Sequence, residues 1–286
     1  MSYNQINCSD TDLGPIGFNC DSNLNGTKML IFTKLTTEFA AETNVLTLAD
    51  WQTLIQDEDI WIIMVDSIED QSKEDTVEEA PISGKTYDVV DGKRGVLYNI
   101  KLPLCVHQEL RSFNRQSLKV MKVDQSKNIL GTSSDGTKFA GFSTSQIKVK
   151  KMGESDGTTI RPSQVYIEEE SIAEWDDDGV FAIPTAFNPF TELKSLIGVT
   201  ITVESAIITK VVVKVVSTCG GKEIVGLVKE DFILNVGQTI VTSTDNGDGT
   251  YDLNGAGLVT GTVELADPSD MTTEGYKGAG SAVVTI

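Results

Sequence analysis

The alternation of apolar and polar positions predicts strands along most of the chain and helices in few places. Met29–Lys34 and Ile60–Val65 are short apolar runs of strand length. Between them, Thr47–Gln56 has helical spacing, with Leu48, Trp51, Leu54 and Ile55 on one face, Thr47 placed as cap and Asp50 three residues later. Ser67–Glu79 is acidic and weakly apolar and reads as a long loop or mobile flap. Thr86–Val90, Gly95–Leu104, Leu118–Asp124, Gly141–Lys151 and Pro162–Ile167 follow as strands. Asp91-Gly92, Asp135-Gly136 and Asp156-Gly157 fall between them, a dipeptide that fits tight hairpin turns. Residues 81–170 are therefore expected to form an antiparallel sheet built from hairpins. Residues 1–28 are polar and rich in Asn, Asp, Ser and Gly, and read as an extended arm or irregular segment.

The strand pattern breaks near residues 184–198, at Pro184, Asn188-Pro189 and a short helix over Thr191–Ile197. This places a boundary between an assembly domain, 1–198, and a second domain, 199–286. Beyond it the expected strands are Val199–Glu204, Ile207–Val216, Glu223–Val228, Phe232–Leu234, Gln238–Ser243, Thr250–Leu253, Val259–Leu265 and Ala282–Ile286. Short strands at this spacing are what an antiparallel sandwich needs.

The second segment resembles bacterial immunoglobulin-like modules, as found in adhesins and on phage virion proteins. The likeness rests on VVVKVV at Val211–Val216, a turn at Cys219-Gly220-Gly221, IVGLVKEDFIL at Ile224–Leu234, DNGDGTYDL at Asp245–Leu253 and TGTVELA at Thr260–Ala266. Gly247 and Gly249 are suited to positive φ in the turn, and Tyr251 and Leu253 alternate around Asp252 so that one face goes inward. The fold class expected is mainly β. It comprises an antiparallel sandwich or barrel-like N-terminal domain with one or two short helices, plus a C-terminal immunoglobulin-like sandwich.

Charge adds a polarity to this picture. The net charge is -19, which disfavours nucleic acid and anionic membranes as partners. Yet residues 81–160 hold 13 bases and 7 acids, whereas residues 1–80 hold 16 acids and 3 bases. Such segregation is read either as two solvated faces or as head-to-tail complementarity between subunits.

Candidate chemistry is sparse. The one histidine, His107, lies two residues after Cys105 in an expected strand, without a third group to orient it. A structural sheet histidine is the plainer reading, and one His without paired Cys makes a poor metal site. Glu168–Glu170 and Asp176–Asp178 are read as solvated loops rather than divalent-ion sites. Asp245, Asn246 and Asp248 are read as a hairpin turn rather than a calcium loop. Gly255, Gly257 and Gly261 do not fit the dinucleotide fingerprint. Arg111, Phe113, Arg115, Lys119 and Lys122 interleave bases with an aromatic; the acidic chain favours an inter-subunit or exposed-loop role over phosphate contact. No residue is nominated as catalytic, cofactor-binding or metal-binding, and no cofactor is expected.

Cys8, Cys20, Cys105 and Cys219 are scattered and are read as reduced, with a Cys8–Cys20 bridge left open. The N-terminus shows no basic and apolar signal pattern. Ala206–Val216, the most apolar run, is too short and too charged to cross a bilayer.

An immunoglobulin-like module without an export signal, disulfide scaffold or membrane segment is reconciled in tailed-phage virion proteins, which fold in the bacterial cytosol and are released by lysis. The region 1–198 loosely resembles a tail-tube protein, with a β core, one helix and long arms or loops. The resemblance implies a non-enzymatic, self-assembling tail-tube protein, made in the host cytoplasm and resident in the virion. Its implied partners are copies of itself in a ring or tube and other virion proteins, with no specific nucleic-acid binding and no membrane. A capsid decoration or head-fibre protein is the alternative within this class. A bacterial surface adhesin or glycan-binding module, and a particle-associated hydrolase, are alternatives from other classes.

Overall fold

The structure is a computed structural model that describes residues 26–40, 42–71, 76–79, 86–90, 93–133, 138–152, 162–170, 174, 180–234, 238–273 and 275–286. The chain divides into two compact units. One comprises the described residues up to Leu54 with Glu58–Lys194, the other Ile55–Asp57 with Ser195–Ile286.

The first unit runs β1 (Thr27–Lys34), α1 (Glu42–Leu46), α2 (Leu48–Gln56), β2 (Ile60–Met64), β3 (Ser67–Asp70), β4 (Thr76–Glu79), β5 (Thr86–Val90) and β6 (Gly95–Ile100). It continues with α3 (Leu104–Leu110), a 3-10 turn (Arg111–Arg115), β7 (Leu118–Asp124), β8 (Asn128–Thr132), β9 (Phe142–Val149), β10 (Ser163–Glu169), β11 (Val180–Pro184) and α4 (Pro189–Glu192).

β1 pairs with β2 on one side and β7 on the other. From β7 the path continues through β9, β10 and β6 to β3, and every step is antiparallel. Only Val65 and Asp66 separate β2 from β3. The Val65 amide donates to the Lys28 carbonyl at 2.8 Å, and the Asp66 amide to the Asn99 carbonyl at 2.9 Å. β2 and β3 are thus two halves of one bent strand, bonded to β1 at its start and to β6 at its end. The ladder closes into a barrel, which removes most of the exposed sheet edge. β8 and then β11 extend it from the far half of β7.

Two residues from each of five strands fill the interior: Leu30 and Phe32, Leu118 and Val120, Ile147 and Val149, Val165 and Ile167, Tyr98 and Ile100. The period of two is what a pleated strand dictates. At one end, Leu110 and Phe113 pack onto the same cluster. Phe113 meets Phe32 and Trp61 edge-on, with centroids 5.2 and 5.4 Å apart. Elsewhere in the unit, Trp51 of α2 is buried against Phe39 at 4.5 Å, and its indole N–H donates to the Val45 carbonyl at 2.8 Å.

Several expectations are corrected here. Gly95–Leu104 is not one strand: β6 ends at Ile100, and Pro103, at φ -58°, starts α3. Proline has no amide for the ladder and its ring suits a helix start. The acidic stretch Ser67–Glu79 contains β3 and β4 rather than a loop. All four β3 residues are exposed, so no apolar alternation marks them. β8, β11 and α1 were not anticipated; the described residues include four short helices within a mainly β fold. The three Asp-Gly dipeptides and most of the expected arm, residues 1–25, lie outside the described residues. Of the strands flanking those dipeptides, β9 and β10 pair as a hairpin, whereas β5 pairs with β4 and β6 with β10 and β3.

The second unit holds β12 (Ile197–Ile207), β13 (Lys210–Ser217), β14 (Phe232–Leu234), β15 (Thr242–Asp245), β16 (Thr250–Asn254), β17 (Gly261–Leu265), β18 (Tyr276–Gly278) and β19 (Ala282–Val284). One sheet has the order β15-β16-β13-β12-β18, the other β14-β17-β19. Leaving out β18, which joins β12 in parallel, this is the D-E-B-A and C-F-G arrangement of a constant-type immunoglobulin sandwich. Val211, Val213 and Val215 of β13 are fully buried, while Val212, Lys214 and Val216 are half-buried. The core joins both sheets through residues such as Tyr251, Leu253, Phe232 and Val263. Gly247 and Gly249 adopt φ of 81° and 77°, as the turn requires.

The run Ile207–Val216 breaks at a turn over Ile208-Thr209, and the expected strand Glu223–Val228 is irregular apart from one bridge, Val216 to Glu223. Side chains hold that segment instead. The Tyr251 hydroxyl donates to the Ile224 carbonyl at 2.9 Å and accepts from the Leu227 amide at 3.3 Å. Burial pushes this phenol up to about 12. Asp231, wholly buried, accepts from the amides of Val228 (2.8 Å), Thr272 (2.7 Å) and Thr273 (3.0 Å). The helix expected over Thr191–Ile197 is α4, Pro189–Glu192, opened by Asn188, whose side chain accepts from the Phe190 amide. Tyr251→Phe is expected to leave the Leu227 amide and Ile224 carbonyl short of a partner and to cost about 1–3 kcal/mol, read as a lower urea midpoint at unchanged slope.

Candidate functional site

Among the described residues, the closest convergence of ionisable groups lies inside the barrel, at the end opposite α3. Period two carries Leu118 and Val120 on to Lys122, and Val165 and Ile167 on to Glu169. Lys122 Nζ donates to Glu169 Oε1, with side-chain exposures of 4% and 3%. Arg94 Nε lies 3.7 Å from Glu169 Oε2, and Lys122 Nζ sits 5.2 Å from the centre of the Phe142 ring. Burial pulls Lys122 down to about 8, opposed by the Glu169 charge. Burial, then the Glu169 charge, pushes the Tyr98 phenol well above its ordinary range. A lysine brought toward neutrality is a candidate nucleophile or base. Here the amine is enclosed and already occupied by a carboxylate, so the arrangement holds charge in place rather than offering it to a substrate.

The expectation that Glu168–Glu170 is a solvated loop is overturned. Glu168 and Glu169 belong to β10 and are buried, and only Glu170 is exposed. Glu169 faces the barrel interior. Glu168 accepts from Lys93 Nζ (3.1 Å), the Ser145 hydroxyl (3.0 Å) and the Tyr166 hydroxyl (3.0 Å). Consecutive carboxylates in a strand point to opposite faces, so each found its own cations and donors. Asp176–Asp178 lies outside the described residues.

Cys105 and His107 lie in α3, not in a strand. Two residues apart on a helix, they point roughly 200° from one another. Cys105 is disulfide-bonded, as is Cys219, so the reduced reading fails for both; Cys8 and Cys20 lie outside the described residues. His107 Nδ1 is 2.9 Å from the Ser163 hydroxyl, and both residues are buried. Burial, reinforced by Arg111, holds His107 below its ordinary pKa. The pair joins α3 to β10 and closes that end of the barrel.

The segment Asp245–Thr250 forms the turn between β15 and β16. Asp245 accepts from the amides of Gly247 (2.8 Å) and Gly226 (2.6 Å). The Thr250 hydroxyl (2.6 Å) and amide (2.9 Å) donate to Asp248 and hold its carboxyl below the usual range. Among the described residues, no group of three or more His, Cys, Asp and Glu is placed to hold a metal ion. No helix among them is long and apolar enough to cross a membrane.

The basic, aromatic segment does not form a single surface. Phe113 is in the barrel core, Lys122 is in the ion pair, and Lys119 lies 3.9 Å from Glu38. The Arg115 side chain is outside the described residues, and Arg111 is exposed. A different basic group emerges beside it. Asn114, in the same 3-10 turn, accepts from the Val149 amide and donates to the Val149 carbonyl, tying the turn to the end of β9. Lys148 and Lys151 are exposed there and Lys150 is half-buried. Three lysines in four positions at a strand end were the available signal, but that the Arg111 turn folds back onto them is a tertiary fact.

Lys122→Met and Glu169→Leu are each expected to cost about 3–5 kcal/mol, because each removes one side of the buried ion pair. The double variant is expected to be close to wild type or above it in chemical denaturation. For His107, a lowered folded pKa means the unfolded chain binds more protons once pH falls below the ordinary value of about 6.5. Its contribution is complete above that pH and is lost below it. His107→Gln is expected to flatten the decline in thermal midpoint between pH 7 and pH 5.

No protein-family model and no curated protein matches the chain.

Proposed function

We propose that the protein is a structural component of a phage virion, a self-assembling tail-tube protein whose immunoglobulin-like unit is exposed. It works by shape and by contact with copies of itself rather than by turnover. The observation that carries this reading is the β4–β5 ribbon. It is inserted between β3 and β6, two strands that pair with each other in the barrel wall, and its strands pair only with one another among the described residues. An isolated two-stranded ribbon is at best marginally stable in water. We infer that a neighbouring subunit packs against it.

Three further features support the reading. The barrel interior is packed with side chains and ends in an enclosed ion pair, which leaves little for a substrate to enter. The second unit is an immunoglobulin-like sandwich, of the kind particles display outward. Disulfide-bonded Cys105 and Cys219 suit a working life outside a reducing cytosol.

Purified full-length protein, concentrated and imaged by negative-stain electron microscopy, is expected to show rings or tubes. A monodisperse monomer at high concentration in sedimentation velocity overturns the proposal.

A further inference from the structure

The three-stranded sheet of the second unit ends in a strand with one unpaired hydrogen-bonding side. β19 pairs with β17, Ala282 opposite Val263, Val283 opposite Thr262 and Val284 opposite Gly261. Among the described residues no strand pairs with its other side; β12 packs near it from the other sheet without bonding to it. The Ile286 amide donates to Thr260 Oγ1 at 3.2 Å, so Ala282, Val284 and Ile286 turn their backbone groups toward β17. Ser281, Val283 and Thr285 alternate with them and turn theirs to the open side, and all three residues are exposed. Val283, 69% exposed, stands at the centre of that edge.

The other strand edges of this sandwich are blunted by charge or irregularity, the usual devices against stray pairing. β12 is covered by β18 over Ile197–Val199 and then breaks register between Val203 and Ser205, where Glu204 is exposed. β18 carries Lys277 at its centre, and β15 ends in Asp245. Lys229 and Glu230, both exposed, precede β14. By contrast, Gly278–Ile286 has no charged side chain, no proline and no break in its register with β17. Residues 199–286 hold 11 acids and 5 bases, so two copies of this unit repel over most of their surface and meet without that penalty at this uncharged stretch.

We propose that β19 is a docking edge for a second copy of this chain, the two β19 strands pairing antiparallel about a two-fold axis at Val283. The inference goes beyond the tail-tube reading and stands without it. Such a contact is isologous, the same patch meeting itself, and it closes at two copies. Val283 exchanges both backbone hydrogen bonds with Val283 of the partner subunit, and Ser281 does so with Thr285 of the partner subunit. The exposed side chains then pair across the axis, valine with valine and serine with threonine, which are favourable neighbours on a sheet face. The two three-stranded sheets become one of six strands, the strand-addition mode of recognition applied to an identical partner.

The test uses the full-length chain and two variants at an exposed position, Val283→Lys, which sets two like charges face to face at the axis, and Val283→Thr, which keeps a β-branched side chain there. Thermal unfolding establishes that both fold as the wild type does. Hydrogen exchange read by NMR is expected to slow with rising protein concentration at the amides of Ser281, Val283 and Thr285, and to stay constant at Ala282 and Val284, which are bonded within the chain. In sedimentation velocity Val283→Lys is expected to weaken self-association at least ~tenfold and to abolish the concentration-dependent protection, whereas Val283→Thr keeps both. Exchange at Ser281, Val283 and Thr285 that does not change with concentration, or association that Val283→Lys leaves intact, overturns the β19 contact. Rings or tubes formed equally by wild type and Val283→Lys leave the tail-tube reading standing while the β19 contact falls. A wild type that stops at a two-copy species with protected edge amides supports the contact and sinks the tail-tube reading.

Discussion

Closure of the first unit depends on a single segment serving two neighbours. Ile60–Met64 bonds to β1, and Ser67–Asp70 bonds to β6. The bend at Val65-Asp66 hands the ladder from one to the other without a missing rung. Once the ladder is closed, every strand has a fixed inward face and the interior has a fixed capacity. The pairs of apolar residues from β1, β6, β7, β9 and β10 fill it. The ends, not the wall, become the places where the protein departs from a plain core.

Those ends are built differently. At one, α3 and the 3-10 turn cover the opening with Leu110 and Phe113, and His107 fastens to Ser163. At the other, Lys122 and Glu169 meet inside, with Arg94 alongside. A buried ion pair is a modest contributor to net stability, since desolvating both groups offsets their attraction. Its stronger effect is on register. A one-residue slip of β7 or β10 would expose the pair to the wrong face and bury an unpartnered charge. In the second unit Asp231 and Tyr251 do the equivalent work with backbone groups, fastening segments that have no ladder of their own.

The second unit was far more legible in the sequence than the first. Its strands alternate cleanly, as in Val211–Val216, and its turns carry glycines that need positive φ. Where alternation failed, the reading failed. Glu223–Val228 looks like a strand, but Tyr251 and Asp231 take its backbone groups. In the first unit, β3 is wholly exposed and acidic, so apolar periodicity had nothing to detect. Glu168 and Glu169 were misjudged for the same reason. Adjacent carboxylates look solvated along the chain, and only the opposite faces of a strand separate them.

What the sequence determined by itself is local. Side-chain periodicity and glycine positions specify strands, turns and a sandwich-forming tail, because these follow from backbone geometry within a few residues. The segregation of bases and acids was also visible there. Tertiary structure decided what depends on distant residues meeting. It closed the barrel through one bent strand, buried Lys122 against Glu169 across 47 positions, and gathered Arg111 with Lys148–Lys151 at one end. Long-range pairing obeys burial and charge compensation over the whole fold, and no local pattern encodes it.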